Sequence, residues 1–334
     1  MHEEILLDVK NLSKSFILSR SVGDVIHGRH PQVDAVSDIS FTLKRGETIG
    51  VVGESGCGKT TLGRMLLKLI EPTSGSIDFG GEDLASLDRD SELAFRRRAQ
   101  LVFQNPFDAL NPHFTIRRSI YEPLVNTRVP ENQHDQMVAD VLIRVQMDRM
   151  LHLLDSYPHQ LSGGQLQRVV LARALVLNPE FIVADEPVSM LDVSVRAGIL
   201  NVLREVRDTM GLAAVFISHD LALVRYVCER TITMYMGSVV EDGPTKDVIN
   251  RPLHPYTRAL VQAVPVPNVA QSHEPLALTG NLPDARNPPP GCRFSDRCPL
   301  AEDICRQSRP PLRTAEPNRR VACFMVPEMV AETG

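Results

Sequence analysis

The sequence predicts an α/β fold built on a buried, largely parallel sheet, and two observations carry that prediction. The first is Thr48-Ile49-Gly50-Val51-Val52 followed by Gly53-Glu54-Ser55-Gly56-Cys57-Gly58-Lys59-Thr60, an apolar strand running into the pattern G-x-x-x-x-G-K-[ST]. The second is Phe181-Ile182-Val183-Ala184-Asp185-Glu186, four apolar residues that end in two carboxylates. Such a run reads as a buried parallel strand whose C-terminal end opens into a ligand crevice. A chain of 334 residues is long enough for about two domains.

The elements follow in chain order. Ile5-Leu6-Leu7-Asp8-Val9 and Ile39-Ser40-Phe41-Thr42-Leu43 are short segments with partial alternation and read as strands. Between them, Ser19 to Gln32 is polar and contains glycine, a loop longer than compact domains usually carry. Thr60-Thr61-Leu62-Gly63-Arg64-Met65-Leu66-Leu67 reads as a helix that starts at the glycine-rich loop. Residues 105–160 lack strand patterns and read as helical. A helix from Gly164 to Val176 follows, Pro179 breaks the chain before the acidic strand, and residues 178–250 return to the sheet. Ala213-Ala214-Val215-Phe216-Ile217 is a further strand, and the tail is rich in proline.

Composition narrows the function. The net charge of −5 gives no reason to expect nucleic-acid binding. Arg96-Arg97-Arg98, the densest basic run, reads as a solvated helix face. No stretch of about 18 apolar residues is long enough to span a membrane. Met1-His2-Glu3-Glu4-Ile5 carries acids where a signal peptide needs positive charge, so a cytosolic chain is expected.

The glycine-rich loop has a direct chemical reading. Gly53, Gly56 and Gly58 permit backbone torsions that bring N–H groups toward phosphate oxygens, and the following helix N-terminus favours an anion. Lys59 is expected to reach the β- and γ-phosphates and the Thr60 hydroxyl to ligate Mg²⁺. Glu54, Ser55, Cys57 and Thr61 complete the expected nucleotide cradle. The bland alternatives are a chance glycine-rich turn and, for Asp185-Glu186, a solvated acidic turn after a core strand.

Leu161-Ser162-Gly163-Gly164-Gln165 is the signature of the ATP-binding cassette (ABC) family, and with the phosphate loop the chain closely resembles an ABC ATPase. That resemblance implies a P-loop NTPase cassette: a RecA-like core sheet, an antiparallel β subdomain, and an inserted helical subdomain at about residues 105–178. It implies that Asp185 holds Mg²⁺ with Thr60 and Gln104, that Glu186 polarises the attacking water, and that His219 contacts the γ-phosphate. Asp192 matches the loop that crosses the dimer interface. Phe16 aligns with the aromatic that stacks on adenine, although an apolar Phe near a strand end is about as often core. Ser162, Gly163, Gly164 and Gln165 are implied to cap ATP held by an opposing cassette, so that two ATP molecules join two head-to-tail subunits. A chromosome-type ABC ATPase would need a long coiled coil between the motifs, and a regulatory cassette should lack Glu186 or His219.

The tail gives a subfamily. His254-Pro255-Tyr256-Thr257-Arg258-Ala259-Leu260, Pro289-Pro290-Gly291-Cys292 and Arg297-Cys298-Pro299 resemble the C-terminal extension of oligopeptide/dipeptide importer ATPases. Domains are expected at 1–253 and 254–334. Gln165 in the signature, Gly63-Arg64 and Leu69-Ile70-Glu71-Pro72-Thr73-Ser74-Gly75 look like the F-type cassette of that family. Leu166 and Met190 depart from its usual Arg and Ala. The resemblance implies a second ATPase subunit of D type, two membrane permeases, and an extracytoplasmic substrate-binding protein. It places the chain on the cytoplasmic face of the membrane. Relatives also serve importers of nickel and glutathione.

Four of the six cysteines lie in the tail, at Cys292, Cys298, Cys305 and Cys323. In a cytosolic chain structural disulfides are not expected, and a proline-rich segment without a core suggests a metal staple. The spacing is wide for zinc, and some family members carry a [4Fe-4S] cluster here, so an iron–sulfur cluster is the first expectation. Zinc and free thiols are the alternatives. A helix starting at Pro299 would separate Cys298 from Cys305 and oppose convergence.

Overall fold

The computed structural model describes residues 4–18, 32–263, 286 and 288–329. The loop expected from Ser19 to Gln32 lies outside the described residues except for Gln32, which already belongs to a strand. The strands in chain order are β1 (Ile5–Ile17), β2 (Gln32–Lys44), β3 (Thr48–Val52), β4 (Ser74–Phe79), β5 (Glu82–Asp83) and β6 (Ala99–Val102). They continue as β7 (Phe181–Asp185), β8 (Ala213–Ser218), β9 (Arg230–Tyr235), β10 (Ser238–Pro244), β11 (Arg313–Glu316) and β12 (Arg319–Val321).

Among the described residues these strands form two sheets. A four-stranded sheet has the order β2-β1-β4-β5, with its pairs antiparallel. The larger sheet has the order β11-β12-β10-β9-β3-β8-β7-β6. Its centre, β6 to β9, is parallel, and β10, β12 and β11 add to it antiparallel. The residue types explain the split. Every residue of β3 and β8 is buried, as expected for parallel strands covered on both faces. β1 and β2 alternate buried with exposed positions only in part, and β-bulges shift their register, which lets two strands of 13 residues curl around a shared core. Each extends well beyond the five-residue segment that signals it in the sequence.

Two large cores flank the main sheet. One packs β1, β2 and β4 with the Lys59–Leu66 helix against one face. The other joins the opposite face to helices Ile116–Asn126, Glu131–Arg144, Gly163–Leu175 and Val193–Met210. Residues 106–160 hold helices and 3-10 turns, as their lack of strand pattern predicts. The signature helix starts one residue before the predicted Gly164.

The tail shares a third core with the edge of the main sheet. Tyr235, Val240, Tyr256 and Phe294 form a buried cluster, with ring centroids 4.6 Å apart for Tyr235–Tyr256 and 5.2 Å for Tyr235–Phe294. Beyond it β11 and β12 continue the main sheet. Arg319 and Glu241, both essentially without exposure, pair across this edge at 2.7 Å. Residues 313–321 are thus fastened by sheet pairing and a buried ion pair rather than by a staple.

Candidate functional site

The phosphate loop lies between the end of β3 and the Lys59–Leu66 helix. Gly58 sits at φ 100°, where a Cβ would collide with the carbonyl oxygen of Ala35. Only glycine fits there without moving β2. The Lys59 side chain is buried and donates to the carbonyls of Gly53 (2.8 Å) and Glu54 (2.9 Å). Loop residues 54–61 line a cleft of about 480 Å³ together with Val33, Asp34, Ala35, Gln104 and Glu186. A cleft of that size is in the range of small-molecule sites.

The catalytic candidates converge on its mouth. Asp185 ends β7, and its carboxyl is pushed upward by burial while a hydrogen bond from Thr60 acts in the opposite direction. Glu186 follows with φ 44°, a left-handed backbone that costs a non-glycine residue about 1–3 kcal/mol and is concentrated at functional sites. Its amide donates to Ile217 on β8 at 2.9 Å, which fixes the strained turn to the sheet. One Glu186 oxygen lies 2.9 Å from His219 Nδ1, and the other accepts from Gln104 Nε2 at 3.1 Å. Three loops at the ends of β6, β7 and β8 therefore aim one carboxylate, one imidazole and one amide at the same place. That is the ligand edge expected of a parallel α/β sheet.

Thr60, Gln104 and Asp185 also suit magnesium. Mg²⁺ takes one or two carboxylates, keeps several waters and relies on substrate phosphates for the rest. A hydroxyl bonded to a half-buried Asp beside a phosphate loop fits that demand.

The remaining predicted residues lie elsewhere. Ser162, Gly163, Gly164 and Gln165 do not line the cleft. Ser162 caps the Gly163–Leu175 helix, accepting from Gln165 N (3.4 Å) while the Gln165 side chain accepts from Ser162 N (2.9 Å). A Cβ on Gly164 would press on Val195, so the signature abuts the helix that follows Asp192. Ser162, Gly163 and Asp192 face solvent, and Met190 is 65% exposed beside Asp192. Leu166 is buried in the core under the signature. Phe16, near the end of β1, is partly exposed, has Lys14 over its ring, and pairs with Val33 of the cleft wall.

The iron–sulfur expectation is corrected. No group of three or more His, Cys, Asp or Glu side chains among the described residues is placed to hold a metal ion. Cys292, Cys298, Cys305 and Cys323 border one cavity of only about 10 Å³, barely room for a water. Burial pushes the Cys292 thiol up to about 11 and raises those of Cys298 and Cys323, as expected of thiols in apolar surroundings. All four are free cysteines. The helix near them starts at Asp303, so Cys298 does not share it with Cys305. The premise of a coreless tail was wrong: Phe294 and Tyr256 supply the core that proline content hides.

Sequence reasoning also missed Tyr256, Arg293 and Arg297 as neighbours of the phosphate loop. Tyr256 Oη accepts from Glu54 N at 2.8 Å, Arg297 forks onto the Glu54 carboxylate, and Arg293 lines the cleft. No local signal reveals contacts spanning more than 200 residues.

Comparison with known proteins agrees with this geometry. Residues 36–189 match the family described as ABC transporter, and residues 240–305 match the oligopeptide/dipeptide transporter C-terminal region. The chain is 45% identical to a probable peptide ABC transporter ATP-binding protein of Sinorhizobium fredii, over 96% of this chain and 90% of that one. It is 41% identical to the oligopeptide transport ATP-binding protein AppF of Bacillus subtilis, over 97% and 98%. Among solved structures it resembles cbiO1 of Clostridium perfringens, part of the ABC transporter complex cbiONQ (TM-score 0.63, 28% identity, 75% of this chain and 92% of that one). It also resembles the dimeric ATP-binding cassette MJ0796 bound to ADP and Pi (TM-score 0.62, 27% identity, 72% and 99%). The chain belongs to the ABC transporter ATP-binding proteins of the oligopeptide/dipeptide type.

Proposed function

We propose that this ATPase powers the import of di- or oligopeptides through a membrane transporter, by ATP-driven pairing with a second cassette. The observation that carries the enzymatic part is the single carboxylate of Glu186, held between Gln104 and His219 at the mouth of the phosphate cleft. Phosphoryl transfer needs positioning and charge stabilisation more than covalent chemistry, and these residues supply both. Glycine-loop N–H groups and Lys59 hold the ATP phosphates. Glu186 orients the attacking water and accepts its proton, and His219 steadies the carboxylate from one side. Bound Mg²⁺, held by Thr60, Asp185 and Gln104, would neutralise phosphate charge.

The exposed signature and the Asp192 loop suit a partner rather than the chain's own nucleotide. Ser162, Gly163, Gly164 and Gln165, at a helix N-terminus, meet the γ-phosphate of the opposing subunit. In this reading residues 1–253 form the ATPase domain, with its helical subdomain at about 105–178, and 254–334 the extension. Phe107, 59% exposed within the Asn105–Glu122 segment, supports a groove there for a permease helix. The partners are a second cassette of D type and two permeases served by an extracytoplasmic binding protein, which puts the chain on the cytoplasmic membrane face. No described helix is long and apolar enough to cross a membrane. Peptide as substrate is supported by the names of the relatives and the tail match.

The test is uptake into vesicles containing the assembled transporter. ATP-dependent accumulation of a labelled di- or oligopeptide, lost with Lys59→Ala, is expected. Accumulation of nickel or glutathione with no peptide uptake would overturn the substrate, and ATP-independent uptake would overturn the coupling.

A further inference from the structure

We infer that the C-terminal extension is a working part of the nucleotide site: Tyr256 and Arg297 are positioning residues that hold Glu54, and through it the phosphate loop and Lys59. The inference rests on reading that loop as the ATP-binding element. Glu54 is the second residue of the loop, and all three of its polar groups are engaged. Its N–H donates to Tyr256 Oη at 2.8 Å. Its carboxylate accepts two bonds from the Arg297 fork, at 2.9 and 3.1 Å. Its carbonyl accepts from Lys59 Nζ at 2.9 Å. One residue thus links the tail to the lysine expected on the phosphates.

The clamp is rigid. Tyr256 is fully buried between Tyr235 and Phe294, so its hydroxyl has a fixed direction. Arg297 is only a tenth exposed at its side chain, lies within reach of Tyr235 Oη (3.4 Å), and cannot follow Glu54 if the loop moves. A second strut runs in parallel. Arg293 donates to Ser37 Oγ (2.7 Å) and to the carbonyl of Met236, and the next residue, Gly237, donates its amide to Cys57 O at 2.9 Å. Glycine-rich loops lose much entropy on ordering. A loop already held in place at Glu54 and Cys57 binds phosphate without that cost, which is the general benefit of preorganisation. A bidentate guanidinium–carboxylate pair is suited to fixing geometry as well as charge.

The experiment is ATP titration of the purified full chain, with thermal melting beside it. Arg297→Ala is expected to raise the Kd for ATP about 10-fold, and Tyr256→Phe, which keeps the ring and deletes the acceptor, about 3-fold. In a Glu54→Gln background, Arg297→Ala is expected to add less than about 2-fold, because the charge and one of the two fork acceptors are already gone. A structural role alone would lower the melting temperature and act equally in both backgrounds. Wild-type affinity in both Arg297→Ala and Tyr256→Phe would overturn the inference, as would an undiminished effect in the Glu54→Gln background. If Arg297→Ala does not fold, Tyr256→Phe and Glu54→Gln decide the matter: wild-type affinity in both overturns it. Lys59→Ala separates the underlying reading. Wild-type protein binding no better than Lys59→Ala would remove the loop as the ATP site, whereas a dead Lys59→Ala beside an unaffected Arg297→Ala would remove only the role of the tail.

Discussion

Glu186→Gln tests the chemistry with the least structural disturbance. The substitution keeps side-chain length and removes one charge. Glu186 now faces His219 Nδ1 at 2.9 Å with one oxygen and accepts from Gln104 at 3.1 Å with the other. An amide has a single acceptor oxygen, so at most one of these two contacts is lost, at about 1 kcal/mol. That is too small to unfold the chain, and the amide of Glu186 keeps its bond to Ile217. Lys59 and the Thr60–Asp185 pair are untouched, so ATP affinity should stay within about 2-fold. The lost function is proton acceptance, and a positioned general base is worth about 10²- to 10⁴-fold. Turnover in the assembled transporter should therefore fall at least about 100-fold while nucleotide stays bound. The assay is steady-state phosphate release together with equilibrium ATP binding. Turnover within about 3-fold of wild type would refute the base assignment. Equal losses in affinity and turnover would place the charge in binding instead.

Three further outcomes follow from the fold. Gly58→Ala must accommodate φ 100° and a Cβ against the Ala35 carbonyl, so it should lose more stability than Gly56→Ala, whose Cβ meets nothing within 4 Å. Equal melting temperatures for the two would show that the loop yields freely. Arg319→Met leaves Glu241 buried without its guanidinium, although the N–H groups of Leu253 (3.0 Å) and His254 (2.9 Å) still reach it. A loss of about 3–5 kcal/mol is expected in denaturant unfolding, partly recovered by adding Glu241→Gln, and a loss under about 1 kcal/mol would contradict the buried pair. Burial holds the His254 ring neutral, with its pKa depressed to about 3, while its Nδ1 accepts the Tyr256 amide at 3.0 Å. The unfolded chain takes up this proton near pH 6.5 and the folded one does not, so stability is full above about 6.5. It should then fall by up to about 1.4 kcal/mol per pH unit toward pH 3, measured by denaturant midpoints, and a His254→Gln variant should lose this component. An unchanged acid slope in that variant would refute the assignment.

The sequence by itself determined the α/β class, the phosphate loop, the acidic strand end and the cassette family, because each is written in contiguous residues with a local physical meaning. β3 is buried throughout and β7 is buried up to Asp185, since parallel strands are covered on both faces, and the loop glycines are required by local torsions and close approach. Gln104, Glu186 and His219 could be named from order and spacing. Their convergence on one carboxylate depends on β6, β7 and β8 lying side by side, which is a tertiary fact. The full length of β1 and β2 was hidden because bulges and one-sided burial blur their alternation. The cysteine tail misled for a related reason: spacing along the chain suggested ligands, while the structure shows thiols bordering a small cavity beside a core made from Tyr235 and Tyr256, far upstream. Only the folded chain could bring Arg297 and Tyr256 to Glu54. Ion pairs and hydrogen bonds are selected by distance in space, and no periodicity in sequence encodes a contact between residues 243 positions apart.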